Sequence, residues 1–298
     1  MMAFYHGCMV YLIEQADPDQ LLTAIVERKL TQGLVVPTVI NALLMSPRIA
    51  TLDLTSLKII MYGGSPIAPE TLVKAMEVFG CGLAQGYGMT EVAGACIFLA
   101  PEDHDPSKPN HLLSIGRPSA LAKLDVRDAQ GDSLPDGEVG EFWINSVGLM
   151  KGYWRRPGED EVVLRDGWYR SGDAGYRDAD GFYYLTDRVK DMIVSGAENV
   201  YPAEVERALM QHPSLLEVAV IGIPHEKWGE AAHAIAVLKP GADTSADEIL
   251  AFTRRLLAGF KVPKSLEFIS ALPRNAFGKV PKYVLREPFW AGHKRRVG

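Results

Sequence analysis

The sequence predicts an α/β fold that gives way, further along the chain, to a β-rich segment and then to an α+β segment. Three observations support this prediction. Short apolar runs alternate with amphipathic helices up to about residue 110. Strands separated by turn residues, with little helix between them, follow up to about residue 187. Helices and strands alternate again in the rest of the chain, so we expect boundaries at these two positions.

The first segment contains the elements of a mainly parallel sheet. The apolar run Cys8–Glu14 is expected to form a strand. A helix should follow it, because Asp17 can cap its start, Pro18 fits its first turn and Gln20 occupies the capping-box position. The later runs GLVVP, LKIIMYGG and CGLAQGYG are continuously apolar or small. Such runs are typical of strands that are covered on both faces.

The middle and last segments differ in their local patterns. The strands LAKLDVRDAQGDSL, GEVGEFWINS and GFYYLTD are separated by Gly, Pro, Asp and Asn turns, which favours a small β-barrel. The last segment begins with the strand DMIVSG and the helix PAEVERALMQH. It continues with the strands LEVAVIGIP and AAHAIAVLKPG, the helix ADEILAFTRRLLAG and the strand KSLEFIS. This order predicts an α+β arrangement.

Composition excludes several classes of protein. The 298 residues carry a formal net charge of −6, which argues against nucleic acid as a partner. No apolar run reaches the roughly 18 residues needed to span a bilayer, so we expect no integral membrane segment. The apolar N-terminus has neither the basic region nor the cleavage site of a signal peptide. Three scattered cysteines favour a reduced, cytoplasmic location.

Five segments carry the residues from which chemistry is predicted. No Walker P-loop is present, and the loop GYGMTE has Glu91 where a dinucleotide fold requires its third glycine. Alone, that loop is as consistent with a tight structural turn as with a binding site. It is accompanied by glycine-rich or charged turns elsewhere. The five segments are Met61–Glu70, Ala84–Glu91, Gly167–Phe182, Leu185–Glu206 and Pro273–Glu287.

In this order, the five segments resemble those of the adenylate-forming enzymes: acyl-CoA synthetases, firefly luciferase and the adenylation domains of peptide synthetases. The resemblance runs through nearly the whole chain. It implies the remainder of a mainly parallel sheet-and-helix large domain with a small β-barrel subdomain, followed by a mobile α+β C-terminal lid domain. The corresponding ranges are 1–110 for the truncated α/β part, 111–187 for the β-rich subdomain and 188–298 for the lid.

The resemblance implies an adenine pocket built from glycine-rich turns and one aromatic ring. Where side chains are missing, the base could lie on the backbone. The ring of Tyr87 would stack on the adenine, although ordinary core packing is the alternative for this residue. The residues implied in this pocket are Gly63, Gly64, Ser65, Gly86, Tyr87 and Gly88.

The remaining parts of ATP would be held by four polar side chains. Thr90 would donate a hydrogen bond to a phosphate oxygen, and Glu91 would bind Mg²⁺, a hard cation that suits carboxylate oxygen. Asp173 would accept hydrogen bonds from both ribose hydroxyls, with Arg188 beside the ribose. The alternatives are a turn aspartate at Asp173 and a solvated charge cluster at Arg188.

The family carries out two half-reactions, and the resemblance assigns residues to both. Lys279 would lie between the carboxylate being activated and the α-phosphate, where it neutralises charge in the transition state. The lid would then rotate about a hinge at Lys190 and bring SGAENVYP into the site. Gly196 would line the tunnel for the pantetheine arm of CoA. A solvated charge cluster is the alternative for Lys190.

The expected substrates are a small-molecule carboxylic acid, ATP and CoA, and a homodimer is the candidate oligomer. An apolar acyl pocket would be bordered by Val35, Val36, Val92 and Ala93, which favours a fatty or other hydrophobic acid. The Thr/Ser/Gly-rich loop that wraps the outer phosphates in the family has no counterpart in this sequence. We therefore expect this chain to be impaired in the ATP-dependent half-reaction.

Other functions remain open from the sequence. The chain could be a non-catalytic AMP-binding or acyl-AMP-binding remnant, or an adenylation domain that serves an acceptor other than CoA. A dehydrogenase that binds NAD through GYGMTE is a further alternative. Three histidines, His104, His212 and His225, are expected to lie at the surface or in turns.

Overall fold

The computed structural model confirms the α/β fold class. Within the residues that it describes, the strands form three sheets of five strands each, and helices accompany the first and third sheets. The first sheet is mainly parallel, as the continuously apolar runs of the first segment predict. The described residues are 2–14, 17–65, 67–196, 198–275 and 280–293.

The chain forms two compact units, and each is assembled from separated stretches of sequence. The first unit comprises Met1–Asp125, Trp143–Arg170 and Arg177–Tyr184. The second unit comprises Val126–Phe142, Ser171–Tyr176 and Leu185–Gly298. The last change of unit lies close to the boundary at residue 188 that the sequence predicts. The three domain ranges themselves remain predictions.

The first sheet has its strands in chain order. Strands β1, β2 and β3 are parallel, and β4 and β5 then pair antiparallel to their neighbours. The carboxyl ends of the three parallel strands therefore lie at the same edge of the sheet. The strands are β1 (Gln32–Val35), β2 (Ile59–Gly63), β3 (Gly82–Met89), β4 (Gly94–Leu99) and β5 (Arg117–Pro118).

Most helices of the chain begin at a proline, whose fixed φ suits the first helical turn. This holds for α2 to α5 and for the later helix Pro202–Leu209. As predicted, the side chain of Asp17 caps α2 by accepting the Gln20 N–H at 2.8 Å. Helices α2 to α4 pack against β2 and β3 through one apolar cluster. None of the described helices has the length and apolar character needed to cross a bilayer. The helices of the first unit are α1 (Met2–Tyr5), α2 (Pro18–Arg28), α3 (Pro37–Met45), α4 (Pro69–Phe79) and α5 (Pro157–Val163).

The strand expected at Cys8–Glu14 is not formed. This stretch has no partner strand among the described residues, and Met9 and Leu12 are exposed. Apolar composition alone does not make a strand, because the backbone of a strand must pair with a neighbour.

The β-rich segment forms an open sheet rather than the small β-barrel expected from its turns. Its strands are arranged in the order β10-β9-β7-β6, with β8 paired to β9. Among the described residues, β6 and β10 are the ends of this order and do not pair with each other. The strands are β6 (Ala122–Arg127), β7 (Gly140–Ser146), β8 (Leu164–Arg165), β9 (Trp168–Arg177) and β10 (Tyr183–Arg188).

The third sheet lies in the second unit and is covered by helices on both faces. Its order is β12-β11-β14-β13, and β15 pairs with β14. Residues of α6 and α7 share an apolar cluster with one face, and residues of α8 share a second cluster with the other. The strands are β11 (Ile193–Ser195), β12 (Glu198–Val200), β13 (Leu215–His225), β14 (Gly229–Leu238) and β15 (Ser265–Phe268), and the helices are α6 (Pro202–Leu209), α7 (Ala246–Thr253) and α8 (Lys282–Trp290).

Two ion pairs attach α8 to the second unit. Lys282 Nζ lies 2.8 Å from Glu206 Oε1, and Arg286 Nη1 lies 3.3 Å from Asp191 Oδ1. All four side chains are largely shielded from water. Removing one partner from such a pair leaves an uncompensated buried charge, which is strongly destabilising. These pairs therefore connect α8 to α6 and to the helical turn Val189–Asp191 that precedes β11.

Candidate functional site

A cavity of about 640 Å³ opens at the carboxyl ends of β1, β2 and β3 in the first unit. Ligands of open α/β sheets bind at this edge, because the loops that follow the strands meet there. The structure brings together around the cavity five of the ten residues expected to hold the nucleotide. Those that line it are Gly63, Gly64, Gly86, Gly88 and Thr90.

Glycine is required at this edge because the strands approach one another closely. A Cβ on Gly63 would overlap the carbonyl oxygen of Gly86, and a Cβ on Gly88 would overlap that of Gly94. Gly64 differs, because a Cβ would have open space there and the residue instead adopts φ +82°. Glycine therefore serves strand packing at two positions and an unusual backbone conformation at the third.

Ser65 and Tyr87, which the resemblance places in the adenine pocket, are not among the described residues that line this cavity. Both are half-buried. Tyr87 lies on β3 between two cavity-lining glycines, and successive residues of a strand face opposite sides of the sheet. Its role in stacking remains a prediction.

Thr90 and Glu91 follow β3 at the rim of the cavity. Thr90 is exposed and lines the cavity, whereas Glu91 is half-buried. The hydroxyl of Tyr153 donates a hydrogen bond to Glu91 Oε1 at 2.8 Å. The backbone N–H of Met150 donates to the Glu91 carbonyl oxygen at 2.8 Å. The segment before α5 thus holds Glu91 at two points.

In the second unit, the structure brings Asp173 and Arg188 together. Asp173 is buried, and its Oδ1 lies 2.9 Å from Nε of Arg188, whose side chain is 55% exposed. The Ser171 hydroxyl accepts the Asp173 N–H at 3.0 Å and donates to the Phe142 carbonyl at 2.7 Å. Asp173 is therefore held in place by its own strand rather than lying in a loose turn.

The remaining predicted residues also belong to the second unit. Lys190 is exposed and lies in the single helical turn Val189–Asp191 that follows β10. Gly196 adopts φ +71° and lines a second cavity, of about 670 Å³. Lys279 lies outside the described residues.

The second cavity is lined by an aromatic and cationic cluster that the sequence analysis missed. The ring of His225 stacks on Trp228 with centroids 4.4 Å apart, and Lys264 Nζ lies 4.7 Å from the Trp228 centroid. The Trp228 carbonyl accepts the Gly196 N–H at 2.8 Å. The sequence signal was the stretch HEKWGE, in which a tryptophan stands between charged residues and a glycine. His225 is therefore part of a cavity wall rather than a simple turn residue.

His104 is buried, which corrects the expectation that it lies at the surface or in a turn. Its Nδ1 lies 2.8 Å from the Ala100 carbonyl and must donate to it. Its Nε2 lies 2.9 Å from the hydroxyl of buried Tyr62, so the neutral ring accepts the tyrosine proton. Tyr62 also lines the cavity and directly precedes Gly63, so this hydrogen-bonded pair fixes the end of β2. Burial lowers the pKa of His104, although the Ala100 hydrogen bond and the charge of Asp103 act in the opposite direction.

Comparison with known proteins places these features in a family. The profile described as AMP-binding enzyme matches residues 1–154. The chain belongs to the AMP-binding enzyme family. A second profile, described as the AMP-binding enzyme C-terminal domain, matches residues 204–279. The resemblance drawn from the five motifs is confirmed.

The relatives include CoA ligases and an amide-forming enzyme. A medium/long-chain-fatty-acid–CoA ligase of Mycobacterium tuberculosis is 39% identical over 98% of this chain and 52% of its own length. A feruloyl-CoA synthase of an Amycolatopsis species is 41% identical over 95% of this chain and 57% of its own. The solved structure of amide bond synthetase McbA from Marinactinospora thermotolerans superposes with a TM-score of 0.85 at 38% identity, covering 93% of this chain and 57% of that one. The chain thus spans about half the length of the curated relatives it matches.

The buried pair of Tyr62 and His104 predicts a specific loss of stability in acid. Because the folded-state pKa of His104 is lowered, the unfolded chain binds a proton first. Stability is then complete above the unfolded value of about 6.5 and falls as the pH drops through it, by at most about 1.4 kcal/mol per pH unit. The free energy of unfolding in urea, measured from pH 7.5 to pH 5, should fall less steeply for His104→Gln than for the wild type.

Tyr62→Phe is the matched control, because it removes the hydroxyl and keeps the imidazole. Its free energy of unfolding should be lower at every pH while the dependence on pH persists. Equal slopes for the wild type and His104→Gln would contradict the assignment.

Proposed function

We propose that the chain is part of an AMP-forming acyl-CoA ligase, which activates a hydrophobic carboxylic acid as its acyl-adenylate and transfers the acyl group to CoA. The observation that carries the proposal is the cavity in which Gly63, Gly86 and Gly88 bring strand backbones together beside Thr90. This arrangement occurs in a chain of the AMP-binding enzyme family, and relatives named as CoA ligases support the thioester product.

The proposed reaction has two steps. An oxygen of the acid's carboxylate forms a bond to the α-phosphorus of ATP, and the bond from that phosphorus to the bridging oxygen breaks, releasing pyrophosphate. The sulfur of CoA then forms a bond to the acyl carbonyl carbon, and the bond from that carbon to the phosphate oxygen breaks. AMP leaves with the electron pair, and the thiol proton passes to solvent. Lys279 keeps its proposed role of neutralising charge in the first step, where a preorganised cation is worth roughly 10²–10³ in rate.

In the first unit, we assign the adenine and the phosphates to the residues that the family resemblance names. Gly63, Gly64, Ser65, Gly86, Tyr87 and Gly88 form the proposed adenine pocket. Thr90 is suited to a phosphate because its hydroxyl is exposed at the rim of the cavity. Glu91 fits Mg²⁺, since only one of its oxygens accepts a hydrogen bond from a described residue. Bound there, Mg²⁺ would neutralise phosphate charge.

In the second unit, we assign ribose recognition to Asp173, with Arg188 beside it. Asp173 Oδ1 lies 2.9 Å from Arg188 Nε, and an ionised carboxylate is a strong acceptor for the hydroxyls of a ribose. Burial of Asp173 supports this role, because a hydrogen bond to a charged group contributes most when water is excluded. Lys190 remains the proposed hinge.

We assign CoA to the second cavity. Gly196 lines it without a side chain, and the stacked rings of His225 and Trp228 provide an aromatic surface for an adenine base. Lys227 Nζ and Lys264 Nζ lie over the Trp228 ring, 5.5 and 4.7 Å from its centroid, and their charges suit phosphate groups. An aromatic surface accompanied by lysine ammonium groups is the chemistry that a phosphorylated adenosine requires.

The acid is proposed to be apolar. Val35, Val36 and Ala93 line the cavity of the first unit, whereas Val92 is buried away from it. None of the described residues that line this cavity is charged. A charged substituent on the acid would therefore find no partner among them, which favours a fatty or aromatic acid.

The direct test supplies each half-reaction separately. With ATP, Mg²⁺, CoA and a panel of apolar acids, the chain is expected to release little AMP, because it spans about half of its relatives. With preformed acyl-adenylate and CoA, it should release AMP and form the thioester. Binding of the acyl-adenylate without any thioester would favour the non-catalytic alternative, and absence of binding would contradict the proposal.

Asp173→Asn should weaken AMP binding. The amide keeps the size of the side chain but loses the negative charge, and a hydrogen bond to a charged group is worth roughly 1.5–3 kcal/mol. The dissociation constant of AMP, measured by calorimetry, is expected to rise about tenfold or more. Asp180→Asn, in an exposed turn, is the matched control and should bind AMP like the wild type. Unchanged affinity in Asp173→Asn would contradict the ribose assignment.

Trp228→Ala should weaken CoA binding while leaving AMP affinity unchanged. Stacking of a base on an aromatic ring is worth about 1–3 kcal/mol, so the dissociation constant of CoA should rise about tenfold. Trp154→Ala removes an exposed tryptophan of the first unit and is the matched control. If both variants bind CoA like the wild type, the second cavity is not the CoA site.

A further inference from the structure

Glu91 accepts hydrogen bonds from residues that lie outside the five segments described in the sequence analysis. The hydroxyl of Tyr153 donates to Glu91 Oε1 at 2.8 Å, although the two residues are 62 positions apart. The hydroxyl of a tyrosine is protonated at neutral pH and therefore acts as a donor to a carboxylate. Among the described residues, Tyr153 is the donor that contacts the Glu91 side chain, and it does so at Oε1 rather than at Oε2.

Tyr153 is itself fixed by the first turn of α5. Asp160 Oδ1 accepts the Tyr153 N–H at 2.7 Å. The preceding Gly152 has φ +147°, and a Cβ there would lie 2.5 Å from Asp160 Oδ2. Glycine at this position therefore allows Asp160 to reach the backbone of Tyr153. The Met150 N–H donates to the Glu91 carbonyl oxygen at 2.8 Å, so the segment before α5 is also attached to the backbone of Glu91.

The geometry resembles the support that metal ligands commonly receive. A carboxylate that binds a cation usually accepts a hydrogen bond on one oxygen, which fixes its rotamer and directs the other oxygen to the metal. The contact of Tyr153 with Oε1 has this form. The Tyr169 hydroxyl lies 3.4 Å from the Tyr153 hydroxyl, and because Tyr153 gives its proton to Glu91, Tyr169 is the donor in this contact.

We propose that Tyr153 is a positioning residue, which Asp160 holds in place and which orients the Glu91 carboxylate for the divalent cation that accompanies the phosphates of ATP. The inference rests on the proposed function, in which Glu91 binds Mg²⁺. Tyr153 itself touches neither the cation nor the nucleotide. Its loss should therefore weaken the contribution of the metal and leave recognition of the nucleoside unchanged.

The test is calorimetric titration of the chain with ATP at a series of Mg²⁺ concentrations. For Tyr153→Phe, a higher Mg²⁺ concentration should be needed to reach half of the metal-dependent gain in ATP affinity. We expect this concentration to rise about tenfold, because the loss of a residue that supports a metal ligand lowers metal affinity by a factor of about 10 to 100. Binding of AMP without metal should be unchanged, which a general loss of structure would not allow. Tyr5→Phe, the matched control, removes the hydroxyl of an exposed tyrosine in the same unit, so its Mg²⁺ dependence should match that of the wild type.

Asp160→Ala provides a second route should Tyr153→Phe fail to fold. It keeps both the hydroxyl and the carboxylate but removes the acceptor of the Tyr153 N–H, so its Mg²⁺ dependence should shift in the same direction by a smaller factor. If Tyr153→Phe and Asp160→Ala titrate like the wild type while Glu91→Gln loses the metal-dependent gain, the inference is wrong and the role of Glu91 stands. If the wild type gains no ATP affinity from Mg²⁺, or Glu91→Gln keeps the gain, the inference and the proposed role of Glu91 are wrong together.

Discussion

The site in the first unit depends on one steric constraint, the close approach of β2, β3 and β4 where they carry glycine. The space for a side chain at Gly63 is taken by the backbone of Gly86, and the space at Gly88 is taken by that of Gly94. Any larger residue would separate the strands and change the edge at which the cavity opens. Thr90 and Glu91 follow this edge directly, so their positions depend on the same packing. The buried pair of Tyr62 and His104 fixes β2 directly before Gly63.

The second unit positions its functional groups by a different means. Its sheet is covered on both faces, and largely shielded ion pairs attach α8 to α6 and to the turn Val189–Asp191. A pair such as Lys282 with Glu206 is costly to break, because removing one partner leaves the charge of the other uncompensated. The cavity beside Gly196 is lined partly by residues that end α8 or follow it, including Trp290, whose Nε1–H donates to the Gly222 carbonyl at 2.9 Å. The cavity wall therefore depends on that attachment.

Features that depend on neighbouring residues in the sequence were predicted more successfully than contacts between residues far apart in the sequence. The cap of α2 by Asp17 and the parallel strands at GLVVP, LKIIMYGG and CGLAQGYG were predicted, because adjacent residues determine these features. Contacts between distant positions were missed, as in the pairing of Tyr153 with Glu91 and of His104 with Tyr62. The prediction of a strand at Cys8–Glu14 was wrong because hydrophobicity does not reveal whether a partner strand exists. The barrel prediction identified β6, β7 and β10 but missed β8 and β9, whose sequence was interpreted as a glycine-rich turn. Closure of a barrel depends on strand pairing that no local pattern specifies.

The central claim is that the glycine-lined edge of the first sheet receives an acyl-adenylate. The most direct measurement is a crystal structure of the 298-residue chain with a non-hydrolysable acyl-sulfamoyl adenosine. The account predicts density for the ligand in the cavity, in contact with the backbone of Gly86 and Gly88 and with the hydroxyl of Thr90. A ligand bound elsewhere on the chain, with this cavity empty, would contradict it.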